Sequence, residues 1–206
     1  ENLETIGDNL KEVQPYCFTT VPRLLEKVYE KIMAKGHELT GIKKNLFFWS
    51  VKVGSRYKLG ESGSLIYRMQ LGIARKLVFS KWLEALGGRV EFIVTGAAAM
   101  QPRLITIFGA AGINVIEGYG LTETSPVLTV NHIPERERCL GSIGMPIPGV
   151  EIKLAEDGEI LAKGPNIMKG YYNRPDLTAE VIDSEGWFHT GDIGEWKSIS
   201  AIIFSR

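Results

Sequence analysis

The stretch Glu117-Gly118-Tyr119-Gly120-Leu121-Thr122-Glu123-Thr124 concentrates the chemistry of this chain. Gly118 and Gly120 permit close backbone approach, Tyr119 offers a flat π face, Thr122 a hydroxyl, and Glu123 a carboxylate able to hold a hard divalent cation through oxygen. That set suits a nucleotide with its metal. The same residues also spell a tight turn with a helix-starting Thr-x-Glu, and on chemistry alone both readings stand. A second candidate is Thr190-Gly191-Asp192, where a carboxylate after a glycine can accept hydrogen bonds from the 2′- and 3′-hydroxyls of a ribose, or simply close a surface turn. A third is Thr95-Gly96-Ala97-Ala98-Ala99-Met100, whose small side chains leave room for a ligand or for close packing of helix on strand. His189, between Phe188 and Thr190, reads as a packed strand histidine in preference to a catalytic one, and His37 and His132 read as loop residues. The tryptophans Trp49, Trp82, Trp187 and Trp196 read as core, with Trp82 and Leu83 as an alternative lining for an apolar tunnel.

The elements that position these residues follow from hydrophobic spacing. Leu3, Ile6, Leu10 and Val13 mark an opening amphipathic helix stopped by Pro15. Residues 16–21 are β-prone, and Pro22 starts a helix carrying Leu25, Val28, Tyr29, Ile32 and Met33 on one stripe. From about Leu39 to Leu86 the pattern is helical, broken at Gly60, Ser62, Gly63 and Ser64 and closed by Gly87-Gly88. The strand Val90–Thr95, a helix from Pro102, and the strand Ile113–Ile116 make a parallel βαβ unit, whose ligand sites sit at the carboxyl ends of the strands. After Gly141 the texture changes. Residues 150–154 and 158–163 alternate across a turn, a short helix lies near 176–182, and residues 187–193 are strand-like. The expected fold is therefore α/β: part of a parallel sheet domain with a helical insertion over residues 1–140, then a small antiparallel β subdomain over 141–206.

Composition narrows the function. With 206 residues, 44% of them hydrophobic, the chain can bury a substantial core. Its 24 basic side chains balance 24 acidic ones, which argues against nucleic acid as a partner. Residues 1–89 carry 15 basic against 9 acidic groups, spread over several helices, which reads as solvated faces and not as a polybasic membrane patch; peripheral membrane contact stays open. No apolar run approaches the roughly 20 residues of a spanning helix, and no signal peptide is visible, so a cytoplasmic location is expected. Cys17 and Cys139 form no Cys-x-x-Cys pair and read as buried reduced thiols. An opening at Glu1 and a close on Ile202-Ile203-Phe204-Ser205-Arg206 suggest a piece of something longer.

In combination, the Gly118–Glu123 string, the small-residue loop before it, and Tyr171-Tyr172-Asn173-Arg174-Pro175 and Thr190-Gly191-Asp192 after it resemble the AMP-forming acyl-CoA synthetase superfamily of adenylate-forming enzymes. Residues 21–29 and the long helical stretch after them most resemble long-chain fatty acid–CoA ligases. The resemblance implies roles position by position: Tyr119 against adenine, Thr122 at the α-phosphate, Glu123 on Mg²⁺, Asp192 on the ribose, and Gly96, Ala97 and Ala98 lining the adenine and acyl pocket. At that loop the family often reads Gly-Gly-Ala-Pro, and this chain departs from it. Arg206 lies about where a ribose-contacting arginine precedes the interdomain hinge, but the residues around it match poorly.

The implied activity uses ATP and Mg²⁺ to join a fatty acid to AMP, releasing pyrophosphate; coenzyme A then displaces AMP to give the thioester. The physical difficulty it solves is that a carboxylate would have to expel oxide, whereas the mixed anhydride carries a good leaving group. Positioning and charge stabilisation do the work, with each preorganised contact to the α-phosphate contributing roughly 2.7 to 4 kcal/mol, and no covalent nucleophile is needed. The family's Ser/Thr/Gly-rich phosphate loop and its lysine-bearing carboxy-terminal domain are not in these residues, so the chain alone is expected not to turn over. The rival readings are an adenylate-forming ligase for an aryl or amino acid, a non-catalytic nucleotide-binding module, and a purely structural domain.

Overall fold

The computed structural model describes residues 5–61, 63–132 and 138–198 and the backbone of 201–204. Leu3 of the opening helix, Ser62 of the helical break, and Ser205 and Arg206 lie outside the described residues. The chain groups into two compact units, Glu1–Ile116 with Ile133–Arg138, and Glu117–His132 with Cys139–Arg206. This grouping differs from the expected division at residue 140 over 117–132. The reason is packing: Tyr119 and Leu128 share one buried cluster with Ile143, Val150, Ile160 and Ala162.

The first unit opens with helix α1, Ile6–Val13, ended by Gln14 in the left-handed conformation, its N–H bonded to Leu10 O at 2.9 Å. Strand β1, Cys17–Thr20, runs parallel to β2, Phe92–Thr95, with Cys17 opposite Phe92 and Thr20 opposite Thr95. Between them lie α2 (Pro22–Glu38), α3 (Gly41–Gly54), α4 (Leu65–Ala74), a π-helical turn (Arg75–Phe79) and α5 (Ser80–Ala85). Pro22 sits at the first helical position, where its missing N–H costs nothing, and Ser64 caps α4 by accepting from Tyr67 N at 3.2 Å. Helix α6, Pro102–Ala110, leads to β3, Asn114–Tyr119, so the expected strand, helix, strand order is present. Arg75 reaches the end of α6, donating to Ala110 O at 2.8 Å and Gly109 O at 3.3 Å, a cation on the negative end of a helix.

Trp82 is the centre of this core. It packs edge-on against Phe79 and Phe108, with centroids 4.9 and 6.3 Å away, and is also within 6.1 Å of Tyr29. Leu65, Ile66, Met69, Ile73 and Leu77, by contrast, leave an apolar stripe exposed along α4 and the π turn. No described helix is long and apolar enough to cross a membrane.

In the second unit the end of β3 pairs antiparallel with β4, Thr129–Val130, and β4 with β5, Met145–Pro146. A separate four-stranded antiparallel sheet has the order β6 (Glu151–Leu154), β7 (Glu159–Lys163), β8 (Phe188–Ser198), β9 (Ala201–Phe204), with α7, Pro175–Val181, between β7 and β8. The expected hairpin is β6–β7, with Leu154 opposite Ile160.

Several expectations need correcting. Cys17 is exposed, because β1 alternates its side chains outward at the first position of the sheet, and Cys139 is half-buried; both are free thiols. His37 lies inside α2 and packs on Phe48, with ring centroids 4.9 Å apart. Of the four tryptophans only Trp82 is fully core; Trp196 is 45% exposed, and Trp187 lies under the Lys153 ammonium at 4.1 Å. Truncating Trp82 to alanine removes the hub of the aromatic cluster and is expected to cost about 3–5 kcal/mol, read as a lowered urea midpoint. A loss under about 1 kcal/mol would show that the cluster relaxes around the gap.

Candidate functional site

The tyrosine motif lies entirely in the second unit. Gly118 pairs with Val130 in the ladder, and Tyr119 pairs with Thr129. Tyr119 is 8% exposed, which leaves its hydroxyl in need of an acceptor. It finds one in Asp192, donating to Oδ2 at 2.8 Å across 73 positions of sequence. Burial raises the phenol pKa well above its ordinary value; a hydrogen bond with Thr190 lowers it and the Asp192 carboxylate raises it further. Two of the expected site residues are thus brought together.

Beyond Tyr119 the chain leaves the sheet. Gly120 is required by crowding, since a Cβ there would overlap the carbonyl of Pro126. Its close approach is to the protein's own backbone. Thr122–Thr124 then form one 3₁₀ turn, with Thr124 Oγ1 accepting from Leu121 N at 2.9 Å. Thr122 is exposed and Glu123 half-buried.

The Glu123 turn is fastened to residues 166–171. Met168 N–H donates to Glu123 O at 2.7 Å, and the Asn166 amide donates to Thr124 O and Val127 O at 2.9 and 2.8 Å. Tyr171 O–H donates to Glu123 Oε1 at 3.0 Å, and that hydrogen bond, followed by burial, raises the Tyr171 pKa. Glu123 therefore presents its second oxygen from a held geometry. Among the described residues no group of three or more His, Cys, Asp or Glu side chains could hold a metal. A single carboxylate nonetheless fits Mg²⁺, which usually takes one or two carboxylates and completes its shell with water and substrate phosphates.

Asp192 follows Gly191, whose φ of 74° lies in the left-handed region that glycine adopts without strain. Asp192 N–H donates to Thr190 Oγ1 at 3.1 Å, and Thr190 O–H to Ile160 O at 2.8 Å. Glu159 Oε1 accepts from Gly191 N at 2.8 Å and its Oε2 lies 2.8 Å from His189 Nδ1. Sequence reasoning missed Glu159, Asn166 and the pairing of Tyr171 with Glu123. Nothing local marked Glu159, a polar residue opening a hairpin strand; Tyr171 stood in a quoted motif without an assigned partner. His189 lies in β8, as the strand reading expected, half-buried and bonded to Glu159.

In the first unit, Gly96 ends β2 half-buried and Ala97 and Ala98 are exposed beyond it. Ala97 adopts a φ of 66°, a conformation that strains any residue with a Cβ.

The chain belongs to the AMP-binding enzyme family, whose sequence pattern matches residues 3–172. It is 37% identical to human long-chain-fatty-acid–CoA ligase 6 over 95% of this chain and 28% of that protein. It is also 37% identical to a putative fatty-acid–CoA ligase of Mycobacterium tuberculosis, over 92% of this chain and 34% of the relative. The chain thus spans about a third or less of the curated relatives it matches. Among solved structures, a malonyl-CoA ligase complex with methylmalonyl-CoA and AMP aligns over all of this chain and 36% of its own, with a TM-score of 0.63 at 24% identity. A fatty acyl CoA synthetase of Mycobacterium tuberculosis aligns over 66% of this chain and 28% of its own, with a TM-score of 0.54 at 30% identity. The fold is that of adenylate-forming enzymes, an α/β domain portion followed by a small antiparallel sheet.

Two outcomes test this geometry. Left-handed strain at Ala97 of about 1–2 kcal/mol outweighs the unfolded-state entropy that glycine adds, so Ala97→Gly is expected to stabilise the chain by about 0.5–1 kcal/mol in urea unfolding. A phenol whose folded pKa exceeds its unfolded value of about 10 stabilises the fold fully below that pH and progressively less above it. Stability is therefore expected to decline as pH rises from about 10, and Tyr119→Phe to flatten part of that decline; equal slopes in the two proteins would acquit Tyr119.

Proposed function

We propose that this chain is part of an ATP-dependent long-chain fatty acid–CoA ligase and carries half of its nucleotide site. The observation that supports this most is the 37% identity over 95% of the chain with a long-chain-fatty-acid–CoA ligase. Residues 21–29 and the helical stretch from α3 to α5, which resemble the long-chain subgroup, support a fatty acid over an aryl or amino acid as the carboxylate.

In this reading Asp192 accepts hydrogen bonds from the ribose hydroxyls, with the Tyr119 hydroxyl bonded to its carboxylate; the Tyr119 ring, expected against adenine, is instead taken up by the buried cluster around Leu128 and Ile160. Thr122, exposed at the head of the 3₁₀ turn, donates its hydroxyl to the α-phosphate. Glu123, steadied by Tyr171, would hold Mg²⁺, which when bound neutralises charge on the phosphates. The carboxylate of the fatty acid attacks the α-phosphate, pyrophosphate leaves, and the coenzyme A thiol displaces AMP. The chain's own residues orient the nucleotide and offset charge; none is a nucleophile.

Carboxylate-dependent ATP–pyrophosphate exchange, measured on the ligase that contains these residues, tests the reading. Exchange is expected with long-chain fatty acids and not with aryl or amino acids, and Glu123→Ala is expected to lower its rate by about 10²–10³-fold. The 206 residues by themselves are expected to give no exchange. Exchange supported only by an aryl or amino acid would replace the substrate class, and full exchange after Glu123→Ala would remove Glu123 from the phosphate site.

A further inference from the structure

We infer that Glu159 is the positioning residue that aims Asp192 at the ribose, by holding the backbone of the irregular stretch of β8 from which Asp192 projects. The inference rests on the nucleotide reading above and adds a residue that touches neither nucleotide nor metal in it.

Glu159 opens β7, 33 positions before Asp192, and both of its carboxylate oxygens are spent on that stretch. Oε1 accepts from Gly191 N at 2.8 Å, and Oε2 meets His189 Nδ1 at 2.8 Å. The other ring nitrogen of His189, Nε2, lies 4.0 Å from Asp183 Oδ2, so the imidazole is faced by carboxylates on both sides. The Glu159 side chain is only 18% exposed, so water competes weakly for these bonds.

The backbone ladder alone cannot supply this hold. The β7–β8 pairing runs from Ala162 opposite Phe188 to Leu161 opposite His189, then shifts register before Glu159 opposite Ile193. Residues 190–192 lie in that irregular stretch, where regular strand-to-strand bonding lapses and the left-handed Gly191 bends the chain. Glu159 bridges the gap by bonding the residues on both sides of Thr190, while Thr190 fastens the stretch to Ile160 O. Asp192 is then held from two directions: its backbone through Glu159 and Thr190, its carboxylate through Tyr119. Oδ2 takes the tyrosine bond, and Oδ1 remains for hydroxyl donors.

The test compares AMP with 2′,3′-dideoxy-AMP in calorimetric titrations of the ligase that contains these residues, unaltered or carrying a substitution at Glu159. The unaltered ligase is expected to prefer AMP by about tenfold or more, the contribution of hydroxyl bonds to a charged acceptor. Glu159→Ala should bring that preference to within about twofold while leaving dideoxy-AMP affinity within about twofold of the unaltered ligase. Glu159→Gln, which keeps an acceptor for Gly191 N, should restore most of the preference. Should Glu159→Ala not fold, Glu159→Met keeps the stem, removes both acceptors and is read in the same way. A variant that keeps the AMP preference, or that loses both nucleotides alike, overturns the positioning role while the nucleotide reading stands. An unaltered ligase that binds no AMP, or binds both nucleotides alike, overturns the nucleotide reading and this inference with it.

Discussion

The second unit is organised by one requirement: the Tyr119 phenol is buried and must find an acceptor. Its ring belongs to the cluster of Leu128, Ile143, Val150, Ile160 and Ala162, and its hydroxyl meets Asp192. Hydrophobic burial and polar satisfaction are met by the same side chain, so the end of β3 and the stretch of β8 before Ile193 cannot move independently. An unpaired hydroxyl in this position would cost about 1–3 kcal/mol, comparable to a sizeable part of a marginal fold's stability.

Around that bond the site is built from a 3₁₀ turn and an irregular stretch of β8, both fastened by side chains where regular pairing lapses. The 3₁₀ turn carrying Thr122 and Glu123 is held by Asn166, Met168 and Tyr171; the irregular stretch of β8 carrying Asp192 is held by Glu159 and Thr190. Such segments leave the carboxylates accessible, while bonds to neighbouring strands and loops remove the conformational freedom that would otherwise have to be lost on binding. The same logic explains why a chain spanning a third or less of its relatives can hold such a preorganised group: every one of these fasteners lies within the second unit.

Much of this was legible in the sequence where the signal is local. Pro22 and Pro102 open the helices they were expected to open, left-handed Gly112 follows the second of them, and the alternation over 150–163 is the β6–β7 hairpin. The chemistry of Tyr119, Glu123 and Asp192 could be named from residue type. Their partners could not: Glu159 lies 32 positions before Gly191, and Tyr171 lies 48 after Glu123, so no window of local pattern contains either pair. Tryptophan placement failed for a related reason, because hydrophobicity says that an indole prefers burial and not which strand face it occupies; Trp187 lies beneath a lysine and Trp196 faces outward.

What the sequence determined by itself was the set of elements, the α/β class and the residue types able to meet a nucleotide, because helix and strand periodicity and side-chain chemistry are properties of neighbouring residues. What only the tertiary structure decided was the grouping of 117–132 with the residues after 139, and which side chains hold which segment. Those depend on long-range packing around Tyr119, where distant segments are selected by how well they bury a ring and complete its hydrogen bond.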